Sequence, residues 1–384
     1  MTLRTLNLGN GMEAALASGH PWIYRNHLPS HPKVEHGEWV RLEAGSAVAV
    51  GLYDRDSKVA VRIFTREGVP GRELLAGRVE DALALRRWAL AGSDTNAYRL
   101  LFGEGDYLPG ITVDRYDRFA VFQTYAGSVD VIVPDVVRAL KRTLRLKGMV
   151  HRHERGLLAL WGELPPPEVT VVENGVKLIA DLHQGQKTGL FLDHRDNRAA
   201  LERYCAGRSL LNVFSYTGAY ALYAIRGGAR RVTNIDSARP VLEAARRNLA
   251  LNGIDPDDHE FIVGDAFEQL AALASERRRF DIVLLDPPSF ARHRGQRHKA
   301  LRAYRRLNEL ALHVTEPGGL LATASCTAQV TSEDFRLTLD AARTAAGVRL
   351  QLLQQTGHAP DHPVPSSFPE GRYLKFVIAR VLPG

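Results

Sequence analysis

The chain has 384 residues, 45% of them apolar and 24% charged, and a formal net charge of +7. That length predicts two or three domains, the composition excludes disordered and fibrous classes, and the positive charge favours a polyanionic partner. No apolar run approaches bilayer-spanning length and no leader pattern opens the chain. The two distant cysteines, Cys205 and Cys326, leave no disulfide framework and no metal-ligand cluster. The expectation is a cytoplasmic protein with no membrane partner and no metal.

Residues 1–72 alternate in short runs, 39–42, 47–53 and 59–64, punctuated by Gly and Asp, which predicts a small β-rich barrel. Near its start, Gly19-His20-Pro21-Trp22-Ile23-Tyr24-Arg25 combines aromatic and basic residues. Trp22 and Arg25 suit stacking on bases and pairing with phosphates, and they equally suit a packed core patch. Apolar spacing over 74–90 predicts an amphipathic helix. Strand-like runs at 98–102, 111–113 and 119–124, a helix at 131–146 and a strand at 149–152 complete a middle α+β domain, 73–167. Pro165-Pro166-Pro167 is a stiff linker. The hairpin signal 169–173, Asn174-Gly175, 176–182 opens a third domain, 168–384.

From residue 209 onward strands and helices alternate. Strands are predicted at 209–214, 231–235, 260–263, 280–285 and 320–324, and helices at 217–226, 239–252, 266–277 and 299–315. The runs 348–355 and 373–382 could complete the sheet at one edge. This is the rhythm of an α/β, Rossmann-like doubly wound sheet, whose ligand site lies beyond the carboxyl ends of the strands.

The strand ends carry the candidate chemistry. The first gives Phe214-Ser215-Tyr216-Thr217-Gly218, a tight turn into a helix. The second ends at Asp236-Ser237, where a carboxylate takes ribose hydroxyls. The third gives Asp265-Ala266, placed to read an adenine amino group. The fourth, Ile282-Val283-Leu284-Leu285, runs into Asp286-Pro287-Pro288-Ser289-Phe290. Alone that corner could be a turn ending a core strand. The first turn lacks G-x-G-x-x-G, so a diphosphate cradle is not expected. A nucleoside cofactor without a diphosphate, S-adenosylmethionine, fits better.

Cys326 follows the fifth strand and faces the same crevice as Asp286. A thiolate there could attack C6 of a pyrimidine and make C5 nucleophilic. Asp286 could hydrogen-bond the base edge, with Pro287, Pro288 and Phe290 as a flat wall. Seven Arg/Lys and no acid fall between 292 and 306. Arg292 and Arg294 lead this run, which is either a solvated helix face or a phosphate clamp for RNA.

With these residues in view, the chain resembles the bacterial large-subunit (23S) ribosomal RNA cytosine-C5 methyltransferases. The likeness covers nearly the whole chain. It is most specific at 185–198, 212–218, 286–290, Ser325-Cys326, Asp361-His362-Pro363 and 369–375. It implies a PUA-like N-terminal domain that contacts RNA, a central α+β domain and a class I methyltransferase sheet. It also implies S-adenosylmethionine as cofactor, with Thr188, Phe191 and Arg195 joining the strand-end residues around it, and a possible homodimer. Cys326 becomes the nucleophile. Since no second cysteine stands beside Pro287, the C5 proton needs another acceptor, with Asp361, His362 and Glu370 as candidates. Two other readings stay open: methylation of a purine exocyclic amine, and an RNA-binding or ribosome-assembly factor without catalysis.

Overall fold

A computed structural model describes residues 3–30, 32–68, 70–291 and 293–384. The chain divides into two compact units. One comprises residues 1–171, 180–192 and 360–371; the other comprises 172–179, 193–359 and 372–384.

The first unit holds two five-stranded sheets. The N-terminal sheet contains β1 (Arg4–Asn7), β2 (Trp22–Tyr24), β3 (Trp39–Ala44), β4 (Ala47–Tyr53) and β5 (Val59–Thr65), in the order β1-β3-β4-β5-β2. A short helix, α1 (Glu13–Ser18), lies between its first two strands. After α2 (Arg72–Ala89) comes the second sheet: β6 (Ala97–Phe102), β7 (Ile111–Tyr116), β8 (Phe119–Thr124), β9 (Gly148–His153) and β10 (Gly156–Gly162). Its order is β10-β9-β8-β7-β6, and α3 (Val133–Thr143) bridges β8 and β9. The last strand expected of this sheet, within the domain 73–167, is the one at 149–152. The extra edge strand β10 has largely exposed side chains, so it lacks the buried alternation by which strands are read.

The hairpin of β11 (Glu168–Glu173) and β12 (Val176–Asp181) turns at Asn174-Gly175, both at positive φ (48° and 79°), as a two-residue type I′ connection requires.

The second unit is a seven-stranded sheet. Its strands are β13 (Ser209–Val213), β14 (Arg231–Asp236), β15 (Glu260–Val263), β16 (Phe280–Leu285), β17 (Thr315–Ser325), β18 (Val348–Thr356) and β19 (Lys375–Pro383), ordered β15-β14-β13-β16-β17-β19-β18. β13 to β17 run parallel, and β19 pairs antiparallel with both β17 and β18. The helices are α4 (Arg195–Glu202), α5 (Ala219–Arg226), α6 (Arg239–Leu251), α7 (Ala266–Ser275), α8 (Arg297–His313) and α9 (Ser332–Ala346). Why β16 tolerates four consecutive apolar residues is clear from its two faces. Ile282 and Leu284 pack with Leu210, Ala322 and Phe376, while Val283 and Leu285 pack with Leu211, Leu307 and Leu321. All four are fully buried, worth roughly 1.5–3 kcal/mol per side chain. The α/β doubly wound architecture expected from the alternation is the one observed. Strand order reverses between β13 and β16, and that switch point opens the crevice at their carboxyl ends.

Candidate active site

The crevice is built first from the turn after β13. Phe214, Tyr216 and Gly218 all have positive φ (61°, 46° and 78°), so the chain coils tightly before α5 begins. Two non-glycine residues in this region carry strain of the kind that collects at ligand sites. The Asp236 carboxylate steadies the turn: Oδ2 accepts from the Tyr216 N–H and Oδ1 from the Ala238 N–H, both at 3.0 Å. Each oxygen keeps a second lone pair for a hydroxyl donor. Within the turn, the Ser215 and Thr217 hydroxyls are buried and lack a hydrogen-bond partner among the described residues. Buried hydroxyls of this kind call for a ligand donor or acceptor.

Asp265 caps α7, its Oδ1 accepting from the Phe267 and Glu268 N–H groups at 2.9 and 3.2 Å. The residue expected to read an adenine therefore also starts a helix. Ala266 beside it is buried, and Ser237 is exposed.

Asp286 leaves β16 directly beside this turn, since Val213 pairs with Leu285 and the Asp286 N–H lies 3.4 Å from the Val213 carbonyl. One carboxylate oxygen lies 3.4 Å from His194 Nε2, and the other ring nitrogen of His194 lies 2.8 Å from the Tyr220 hydroxyl. His194 is buried at the start of α4, and Asp286 is half-buried. Arg195, next in the chain, is buried with its Nε 3.1 Å from Asp196.

On the adjacent strand, Leu285 pairs with Thr323, so Cys326 emerges three residues on, at the same end of the sheet. Its Sγ lies 3.8 Å from the Pro287 carbonyl oxygen, and it is partly exposed, whereas Cys205 is buried. Burial pushes the Cys205 thiol up to about 12, which suits an inert core residue. Thr327 ties the two loops together. Its Oγ1 accepts from the Phe290 N–H at 3.3 Å and lies 2.7 Å from the Tyr304 hydroxyl.

The three residues of the expected flat wall differ in exposure. Pro287 is buried, and the Phe290 ring packs 4.8 Å from Tyr304 against the α8–α9 core, which leaves Pro288 exposed. Arg294 is exposed ahead of α8, as are Lys299, Arg302, Arg305 and Arg306 on it. Arg292 lies outside the described residues.

Thr188, Phe191, Trp22 and Arg25 belong to the first unit. Thr188 is buried, its hydroxyl donating to Asp114 at 2.6 Å and lying 2.7 Å from the Tyr116 hydroxyl. Phe191 is half-buried with the Lys187 ammonium over its ring. Trp22 donates to Glu104 at 2.7 Å and packs edge-on to Phe368. The Arg25 guanidinium is spent on the Ser57 and Asp54 carbonyls. For Trp22 and Arg25 the packed reading left open by the sequence therefore describes most of their contacts. Asp361 and His362, candidate proton acceptors, are also in this unit and buried, with Asp361 accepting from the Arg99 N–H. Glu370 lies 3.3 Å from His20. One cluster of ligand-type atoms occurs among the described residues, at His36, Asp54 and Asp56. There the Asp54 Oδ1 closes a turn by accepting from the Asp56 and Ser57 N–H groups.

Two residues that touch these loops, His194 and Lys375, are not singled out as site candidates in the sequence. His194 lies within the polar, glycine-rich run 185–198, which the family resemblance covers without distinguishing this residue. Lys375 opens a strand whose next four residues are apolar, and that break in hydropathy is the signal that could have found it.

The turn, the paired carboxylate and the switch-point crevice define a methyltransferase of the S-adenosylmethionine-dependent class. The sequence model of the family described as S-adenosylmethionine-dependent methyltransferase matches residues 134–368, and that of a PUA-like domain matches residues 6–66. The chain is 35% identical over 392 residues to ribosomal RNA large subunit methyltransferase I of Klebsiella pneumoniae (strain 342), covering 98% of each chain. It is also 35% identical over 399 residues to that of Serratia proteamaculans (strain 568), covering both chains entirely. It belongs to the ribosomal RNA large subunit methyltransferase I family. In fold it is similar to SMU.776 complexed with SAH, with a TM-score of 0.88 at 24% identity over 98% of this chain and 100% of that one. A SAM-dependent methyltransferase from Agrobacterium tumefaciens shares less of the fold, with a TM-score of 0.55 at 17% identity over 77% and 92%.

Proposed function

We propose that this enzyme methylates C5 of a cytosine in large-subunit ribosomal RNA through a covalent adduct of Cys326. The relatives named as large-subunit ribosomal RNA methyltransferases support the RNA substrate. The observation that carries the chemistry is the convergence of Cys326 and Asp286 at neighbouring carboxyl ends of β17 and β16. In this reading the loop 214–218, Asp236 and Asp265 hold S-adenosylmethionine, with Ser215 and Thr217 as added polar contacts. The cofactor supplies the methyl group. Residues 1–72 contact RNA, 73–167 form the central domain and 168–384 carry the chemistry. No helix among the described residues is long and apolar enough to cross a membrane.

The Cys326 thiolate adds to C6, forming the S–C6 bond and sending the C5=C6 electron pair to C5. Asp286 meets the base at N3 and N4, where charge builds as the ring loses aromaticity. The C5 pair would take the methyl group that the cofactor supplies; a base then accepts the C5 proton, the C–H pair re-forms C5=C6 and the S–C6 pair returns to sulfur. Extruding the base costs a few kcal/mol unless the target is single-stranded.

The test uses large-subunit RNA carrying 5-fluorocytosine, incubated with enzyme and S-adenosylmethionine. Fluorine at C5 cannot leave as a proton does, so a protein–RNA adduct should survive a denaturing gel and disappear in Cys326→Ala. Methyl transfer without an adduct, with Cys326→Ala still active, would replace this reading by methylation of a purine amine.

A further inference from the structure

Lys375 opens β19 and is 2% exposed, immediately before the buried run Phe376, Val377, Ile378 and Ala379. A buried ammonium is tolerated only when each of its protons meets an acceptor. Here all three do: Nζ donates to the Thr327 and Val330 carbonyls at 2.7 Å and to the Tyr373 carbonyl at 2.8 Å. Thr327 follows Cys326 in the chain, and Lys375 pairs with Ser325, which precedes it, across β17 and β19. The charge is therefore fastened to the turn that carries the nucleophile.

Three neutral carbonyls satisfy the protons, and among the described residues the ammonium forms no ion pair. Burial pulls Lys375 down to about 8, while Cys326 and Asp334 hold it up. Asp334, from α9, is already bound by Arg297 of α8 at 2.5 Å. From α8 the Tyr304 phenol also faces Cys326 and Asp286, and burial pushes it up to about 12, so it is neutral at physiological pH. Asp286 itself lies beside His194. After burial, the group that acts most strongly on the ammonium is Cys326, which lies in the chain between Ser325, the strand partner of Lys375, and Thr327, whose carbonyl the ammonium holds.

We propose that Lys375 is a positioning residue for Cys326: its caged ammonium stabilises the thiolate and fixes the turn that carries the sulfur. The thiol proton leaves to solvent, which reaches the partly exposed sulfur, and Lys375 keeps all three of its own. The inference rests on the reading of Cys326 as the nucleophile, and the test separates the two.

Alkylation of Cys326 by iodoacetamide, followed by site-resolved mass spectrometry on the full chain, reports the thiolate as pH is raised. In the unmodified enzyme the half-maximal rate should fall below about pH 8.5, the value of an unperturbed thiol. Lys375→Met should move that midpoint up by about one unit, roughly a tenfold slower reaction at neutral pH. Lys375→Arg, which keeps the charge, should restore the lower midpoint. A wild-type midpoint at or above about 8.5 would overturn the proposal. So would an unmoved midpoint in Lys375→Met, or one as high in Lys375→Arg, in protein that still binds S-adenosylhomocysteine. Should Lys375→Met fail to bind that ligand, the Lys375 ammonium is titrated by NMR in Cys326→Ala. Coupling is reciprocal, so its midpoint must drop, and an unchanged one rejects the idea. A 5-fluorocytosine adduct formed without these shifts leaves Cys326 the nucleophile and removes Lys375. Absence of the adduct in wild-type enzyme removes the underlying reading itself.

Discussion

Gly218 shows how one residue sets the turn after β13. Its φ of +78° is unfavourable for side chains, and a Cβ there would sit 2.9 Å from the Ala245 Cβ. Gly218→Ala should lower stability by about 1–3 kcal/mol and weaken S-adenosylhomocysteine binding, seen as a lower melting temperature and a raised dissociation constant. Equal binding with only a lower melting temperature would confine the residue to packing. The sequence announced this glycine by its place between a strand and a helix. It gave no hint that Phe214 and Tyr216 share its positive φ, because that strain is imposed by Asp236 holding the Tyr216 N–H from the next strand.

At the scale of elements, α4 is fixed by a buried ion pair. Arg198 meets Glu173, at the tip of β11, through two hydrogen bonds of 2.8 and 2.6 Å, with both side chains almost wholly excluded from solvent. The Tyr223 hydroxyl adds a third donor to the carboxylate at 2.9 Å. The hairpin is thus bound to the helix that begins at Arg195 and follows His194. Glu173→Gln leaves the guanidinium buried without its counterion and should cost about 3–5 kcal/mol, measured by urea denaturation. The same variant should slow methyl transfer if α4 positions His194 against Asp286. Neither partner of this pair looked special in the sequence, because Glu173 and Arg198 are 25 residues apart and only the hairpin's return brings them together.

For the whole molecule, the net charge of +7 acquires meaning from where its cations sit. Arg294, Lys299, Arg302 and Arg305 are exposed, whereas Arg86, Arg99 and Arg198 are buried against carboxylates and contribute nothing to an RNA surface. Replacing Arg294, Lys299 and Arg302 together by Glu should weaken RNA binding and flatten its salt dependence by about 0.7 log units per lost contact with a single strand. Cofactor affinity should not change. An unaltered salt slope would return this run to the solvated helix face that its buried stripe of Tyr304, Leu307 and Leu310 also explains.

The periodicity of the chain by itself determined the doubly wound sheet. Alternating strands and helices, a four-residue apolar run buried on two faces and polar residues at each strand end are local patterns, and packing had only to confirm them. It also marked Cys326 and Asp286, because both directly follow strands. Tertiary structure alone decided which polar residues work together. The exposed edge strand β10, the burial of Pro287, the pairing of His194 with Asp286 and the caging of Lys375 beside Cys326 depend on strand order and register. Register joins residues up to tens of positions apart, and no local pattern of hydropathy carries that information.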